Sequence, residues 1–149
     1  MNDMTQHELH DLIVSRDIPA PIEAAWKSWT EPDRVLRWWG PNGFTCTVAE
    51  LDVRVGGRFR IVFGGPDGKM HECAGTYKEV VPNKKLVFTW SWPNSTPERI
   101  SVVTIEFRVA GKGTDLLFKH EQLFDEAARD GHKRGWTGAL DKLGEFLNA

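Results

Sequence analysis

Residues 125–148 read DEAARDGHKRGWTGALDKLGEFLN, and their spacing decides the fold. His132, Trp136, Leu140, Leu143 and Leu147 lie three or four residues apart, so a helix gathers them into one stripe, which Ala128, Ala139 and Phe146 widen. A long helix with a single apolar face must bury that face against another large apolar surface. Glycines interrupt the pattern. Gly131, Gly135 and Gly138 each cost about 1 kcal/mol of helix propensity, so something must compensate. Close approach of another backbone is one candidate, and space left for a ligand is the other.

The partner surface lies upstream, where the apolar period changes from helical spacing to two. Phe44–Leu51, Arg58–Phe63, Met70–Val81, Leu86–Trp92, Ile100–Val109 and Thr114–His120 read as strands, separated by Gly56-Gly57, Gly64–Gly68, Pro82-Asn83, a polar loop over Pro93–Glu98, and Gly111–Gly113. Short strands joined by turns, with no helix between them, form an antiparallel sheet. Before them, Leu9–Ile18 reads as a first strand, stopped by Pro19-Ala20-Pro21. A short helix follows, carrying Ile22, Ala25, Trp26 and Trp29. A second helix opens with Thr30 as N-cap and carries Val35, Trp38 and Trp39 to Gly40-Pro41.

The expected fold is therefore α+β: a curved antiparallel sheet of about seven strands around a long C-terminal helix, with two short helices after strand one. This is a helix-grip arrangement, and it leaves a cavity between helix and sheet. Residues 1–149 are expected to form one domain, with 1–6 as a flexible tail.

Composition narrows the function. A 40% hydrophobic and 27% charged chain with formal charge −2 has too many apolar residues for a disordered protein. It also has no global field to draw nucleic acid, and no basic run appears. No stretch approaches the ~20 apolar residues of a membrane span, and MNDMTQHELHD lacks the features of a secretory signal, so a cytoplasmic location is expected. Cys46 and Cys73 lack metal or redox spacing and read as buried thiols. Seven Trp and eight Phe against one Tyr stand out. Each such ring buries about 150–250 Å², which suits the wall of an apolar cavity or a tightly packed core.

Catalytic and cofactor motifs are absent. His7-Glu8-Leu9-His10 does not have the spacing of a zinc helix, no Cys/His cluster offers four ligands, and no phosphate-binding glycine loop or nucleophile elbow occurs. No metal or cofactor is expected. Asn94-Ser95-Thr96 matches a glycosylation sequon, which a cytoplasmic protein does not use.

Alternation proposes the inward side chains. Phe59, Ile61 and Phe63 oppose Arg58 and Arg60; Leu86, Phe88, Trp90 and Trp92 oppose Val87, Thr89 and Ser91; Leu116, Phe118 and His120 share a face. Trp136 and Leu140 close the space from the helix, with Trp39 near the mouth. The candidate ligand-binding set is Trp39, Phe59, Ile61, Phe63, Phe88, Trp90, Phe118, His120, His132, Trp136 and Leu140, with plain core packing as the competing explanation. His120, on an apolar strand face, needs a hydrogen-bond partner. It is a core histidine satisfied by a neighbour, a donor anchoring a ligand, or a general base, and His132 has the same three options. His71, beside a turn, reads as solvent-facing.

The element order, with Gly56-Gly57-Arg58-Phe59-Arg60, Leu86–Trp90, His120-Glu121, Trp38-Trp39-Gly40-Pro41 and Gly131-His132-Lys133-Arg134-Gly135-Trp136, closely resembles the START-like superfamily from Leu9 to Leu147. Within it the chain resembles the bacterial branch named for homology to the activator of the heat-shock protein 90 ATPase. The resemblance implies a deep pocket for lipids, polyketides or other apolar molecules. The family name implies a chaperone partner and a stress-response setting. Three functions follow: a binder of a small apolar or aromatic molecule, a polyketide cyclase or dehydratase using a cavity histidine, or a protein-interaction module. A homodimer is compatible with each.

Overall fold

The computed structural model describes residues 10–148. The expected tail over 1–6, the His7-Glu8 pair and Leu9 lie outside the described residues. Seven strands, β1 (Leu12–Ile18), β2 (Thr45–Leu51), β3 (Arg58–Gly64), β4 (Met70–Val81), β5 (Lys85–Trp92), β6 (Thr96–Ala110) and β7 (Gly113–Glu121), form one antiparallel sheet in the order β1-β7-β6-β5-β4-β3-β2. Two short helices, α1 (Ile22–Thr30) and α2 (Pro32–Val35), follow β1, and α3 (Glu126–Asn148) ends the chain. The α+β helix-grip arrangement expected from the periodicities is the one observed.

The sheet bends because its ladder is interrupted. Register shifts occur between Cys46 and Val48, Tyr77 and Glu79, and Trp90 and Trp92, and bulges of this kind increase local twist. Gly75 sits where β4 passes closest to β5. A Cβ there would lie 1.8 Å from the Thr89 carbonyl oxygen, so only glycine fits. The bent sheet turns Phe59, Ile61, Phe88, Trp90, Leu116 and Phe118 toward the helices, all 5% exposed or less.

Three boundaries are notable for differing from expectation. Thr30 ends α1 rather than capping α2: its hydroxyl donates to the Trp26 carbonyl at 3.0 Å, and Glu31 takes the cap position. Trp38 and Trp39 lie beyond α2, on a further turn held by their N–H groups on the Val35 carbonyl. β6 begins at Thr96, not Ile100, because a tight turn (Ser95 N–H to Trp92 O, 3.1 Å) pairs Trp92 directly with Thr96. Residues 96–98, read as loop, instead extend an exposed hairpin end.

α3 starts with Asp125, whose carboxylate accepts the Ala128 N–H at 2.8 Å. Trp136, Ala139, Leu140 and Leu143 are its buried residues, and Arg16 of β1 ion-pairs with Asp141 at 3.2 Å. Gly138 accounts for one of the helix glycines: a Cβ there would lie 2.8 Å from the Asn42 backbone nitrogen. No helix among the described residues is long and apolar enough to cross a membrane.

Candidate functional site

Between the first half of α3 and the sheet lies a cavity of about 380 Å³. β3 contributes Phe63, β4 His71, and β5 Trp90 and Trp92; the segment after α2 contributes Trp39, Gly40, Pro41 and Phe44; α3 contributes Ala128, Gly131, His132, Gly135, Trp136 and Ala139. Its size falls in the usual range for small-molecule sites. The walls are mostly aromatic rings in contact: Trp90 meets Trp39, Trp92 and Trp136 at centroid distances of 6.0, 5.3 and 5.2 Å.

Lys142 shapes the mouth. Its ammonium donates to the carbonyls of Gly40 (3.2 Å), Pro41 (3.3 Å) and Phe44 (2.9 Å), fastening the loop to α3. Burial lowers its pKa from the ordinary lysine value, and Cys46 and Glu145 oppose that shift. Gly131 and Gly135 lie on the face of α3 that borders the cavity. A Cβ at Gly135 would meet only Pro41 Cγ at an ordinary 3.5 Å, and one at Gly131 nothing closer than 3.9 Å, so both leave open cavity where a side chain would fit.

The polar groups are nearly all engaged. Trp136 Nε1–H donates to His120 Nδ1 at 3.0 Å, so the proton of neutral His120 sits on Nε2 and points to Ser101 Oγ at 2.7 Å. Ser101 in turn donates to the Trp90 carbonyl at 3.5 Å. His132 has the opposite tautomer. Its Nδ1–H donates to the Ala128 carbonyl at 2.7 Å, and its Nε2 accepts the Trp92 indole N–H at 3.2 Å. Burial, with His132 nearby as a lesser cause, holds the His120 pKa well below the ordinary histidine value. Burial lowers that of His132 too, partly offset by its bond to Ala128 O. Both rings are neutral at pH 7, and each has an indole donor on its lone-pair nitrogen. A general base needs that lone pair free.

The thiols are equally quiet. Burial pushes Cys46 up to about 11 and Cys73 well above its ordinary value, so neither supplies thiolate near neutrality. Among the described residues no three His, Cys, Asp or Glu side chains come together to hold a metal ion. Among the described residues, two buried indole N–H groups have no partner, those of Trp29 and Trp90. That of Trp29 is enclosed by the rings of Trp38, Trp39, Phe118 and Trp136, whereas Trp90 lines the cavity.

Of the residues singled out in the sequence, the structure gathers Trp39, Phe63, Trp90, His132 and Trp136 around the cavity. Phe59, Ile61 and Phe88 instead surround a void of about 10 Å³, together with Trp29, Leu51 and Tyr77, too small to hold more than a water. Phe118, His120 and Leu140 are wholly buried and line neither of these two spaces. Of the three options for His120, its hydrogen bonds match the core histidine satisfied by neighbours. His71 corrects the solvent-facing reading. It stands directly across from Phe63 in the β3–β4 ladder, which puts both on the inner face, and its ring lies 5.6 Å from that of Phe63 and 5.9 Å from that of Phe44.

The candidate set omitted Gly40, Pro41, Phe44, His71, Trp92, Ala128 and Ala139, which also line the cavity, and for Gly131 and Gly135 room for a ligand was one of two open explanations. The helical ones carried a readable signal: Ala128, Gly131, Gly135 and Ala139 recur at three- and four-residue intervals, a seam of small residues beside the bulky stripe.

A bent antiparallel sheet closed by one long C-terminal helix over an apolar cavity defines a protein of the START-like, helix-grip class. The chain belongs to the family of activator of Hsp90 ATPase homolog 1-like proteins, whose model matches residues 19–148. A crystal structure from Chromobacterium violaceum is similar at 26% identity, with 94% of this chain and 98% of that chain covered and a TM-score of 0.86. The AHSA1 protein from Silicibacter pomeroyi is similar at 26% identity, 93% and 97% coverage and a TM-score of 0.82. A Nitrosomonas europaea protein at 24% identity, 95% and 96% coverage and a TM-score of 0.80 shares the fold. No curated protein matches the chain.

Proposed function

We propose that this protein binds a small, largely apolar aromatic molecule in the cavity between α3 and the sheet, and does so without catalysis. The observation that carries this reading is the cavity of about 380 Å³ kept open by Gly131 and Gly135 on the helix that covers it. Apolar surface leaving water contributes roughly 25 cal/mol per Å², and stacking between indole rings adds orientation. The cyclase reading requires a histidine able to take a proton, and both His120 and His132 have their lone pairs occupied by indole N–H groups. The binder works in the cytoplasm, where the free thiols of Cys46 and Cys73 remain reduced.

Native mass spectrometry of protein purified from its own host is the direct test. The expected result is a non-covalent adduct of a few hundred daltons that organic extraction removes. Gly135→Leu, which places a side chain in the cavity, should abolish the adduct while leaving a folded protein. An unmodified mass for wild type under every extraction, or an adduct retained by the filled variant, overturns the assignment.

A further inference from the structure

A second, smaller pocket of about 110 Å³ adjoins the aromatic cavity. Trp90, Trp92, Ala128 and His132 line both spaces and form their common wall. Chemistry changes across that wall. The far side carries Thr96, Ser101 and Arg99 besides Leu123 and Phe124, so the smaller space adds hydroxyls and a cation to the rings that bound the larger one.

Arg99 is held in an unusual way. Its guanidinium lies 3.7 Å from the centroid of the Phe124 ring. Arg16, Arg34, Arg54, Arg60 and Arg129 are each ion-paired to a carboxylate. Arg99, like Arg37, Arg58, Arg108 and Arg134, has no side-chain ion pair or hydrogen bond among the described residues, but of these it is the one that lies over an aromatic ring. A guanidinium stacked by its face keeps its in-plane N–H fork free, and that fork matches a carboxylate in two parallel hydrogen bonds. The stacking also fixes the plane of the fork before anything binds. Phe124 is 56% exposed, an odd place for a phenyl ring unless it serves as such a platform.

The second observation is independent. The Trp90 indole N–H is buried with no partner among the described residues, and Trp90 stands in the wall that both spaces share. A buried donor left unpaired is costly, so an acceptor brought within its reach is favoured. In the same wall Trp92 is half-buried, its indole donating one hydrogen bond to His132.

We infer that the smaller pocket seats the anionic end of the ligand, making that ligand an aromatic carboxylic acid with its ring in the large cavity and its carboxylate on Arg99. This rests on the binding reading above and narrows it to a chemical class. Arg99 sets specificity for the acid, and Phe124 positions Arg99.

Paired probes test it: 2-naphthoate and its neutral counterpart 2-naphthamide, titrated against the full chain by quenching of tryptophan fluorescence. Wild type should bind the acid at least tenfold more tightly than the amide at low salt. That preference should shrink in 0.5 M NaCl, because Arg99 is solvent-exposed. Arg99→Gln should bring the acid-to-amide ratio to about one. Phe124→Leu, which removes the platform but keeps the cation, should lower the ratio two- to fivefold. Equal affinities in wild type, or a preference that persists in Arg99→Gln, overturns the acid assignment while binding of the amide leaves the cavity reading standing. Failure of both probes to bind counts against both.

Discussion

At Phe118, His120 and Leu140 the interface between α3 and the sheet is closed, each side chain having no measurable exposure. About one and a half to two and a half helical turns away, at Gly135 and Gly131, the same interface opens into about 380 Å³. The residue types facing the helix hardly differ. Both ends are built from Trp, Phe and His on alternate strand positions, and both use a histidine that accepts an indole N–H. What differs is the helix, which presents Leu140 and Leu143 at the closed end and Ala128, Gly131 and Gly135 at the open one. A wall and a core are made of the same residues here, and the opposing element decides which they become.

The largest expected effect compares a ring from each end. Phe118 is wholly buried, with its centroid 4.5 Å from that of Trp136. Phe118→Ala should cost about 3–5 kcal/mol through lost transfer energy and a new void. Phe63 already has empty space on one side, so it forgoes part of the dispersion a packed ring gains. Phe63→Ala should cost at least ~1 kcal/mol less than Phe118→Ala. Urea unfolding with unchanged m-values measures both. Equal losses would mean that the open end is packed as tightly as the closed one.

This contrast also marks how far the sequence was legible. Period-two alternation assigns a side chain to a face of the sheet, so the inward set of β3, β5 and β7 was readable from spacing alone. The stripe on α3 was readable for the same reason. Depth was not. Phe59 and Phe63 are indistinguishable by pattern, yet one surrounds a void of about 10 Å³ and the other the large cavity. Whether an inward ring packs or lines depends on what stands opposite it, which is a long-range fact. His71 was misjudged because its neighbour turn suggested solvent, while its cross-strand partner Phe63 placed it on the inner face. The small-residue seam of α3 was the local clue, and it mattered more than any aromatic.

The two histidines give the intermediate effect, and the sign follows from their environment. Both have folded pKa values below the ordinary histidine value, so at mildly acidic pH the unfolded chain binds protons that the folded chain does not. Stability is then complete above about pH 6.5 and is lost as pH falls from there toward the depressed folded values. Each histidine contributes a slope of up to about 1.4 kcal/mol per pH unit in that window. Protonation of His132 Nε2 would also face the Trp92 N–H, and protonation of His120 Nδ1 the Trp136 N–H. Unfolding free energies between pH 5 and 7 should therefore slope upward with pH, and His132→Gln should flatten the curve by about one proton. A flat profile for wild type would show that these rings titrate freely and that the indole bonds do not hold them neutral.

The smallest effect separates the glycines and bears most directly on why the cavity exists. Gly138 lies under the Asn42 backbone, with 2.8 Å to a would-be Cβ, and backbone yields poorly. Gly138→Ala should thus destabilise by about 1–3 kcal/mol, as overpacking does. Gly135 and Gly131 have room, so alanine at either should stabilise α3 by about 0.5–1 kcal/mol through propensity alone. A chain that forgoes that gain at two positions facing one empty space is kept open by something other than folding. The expectation is a trade-off: Gly135→Ala raises the thermal midpoint of the empty protein yet weakens 2-naphthamide binding, because the added methyl enters the cavity. If alanine raised stability with no loss of binding, the glycines would be incidental to the site, and the open end of the helix would need another explanation.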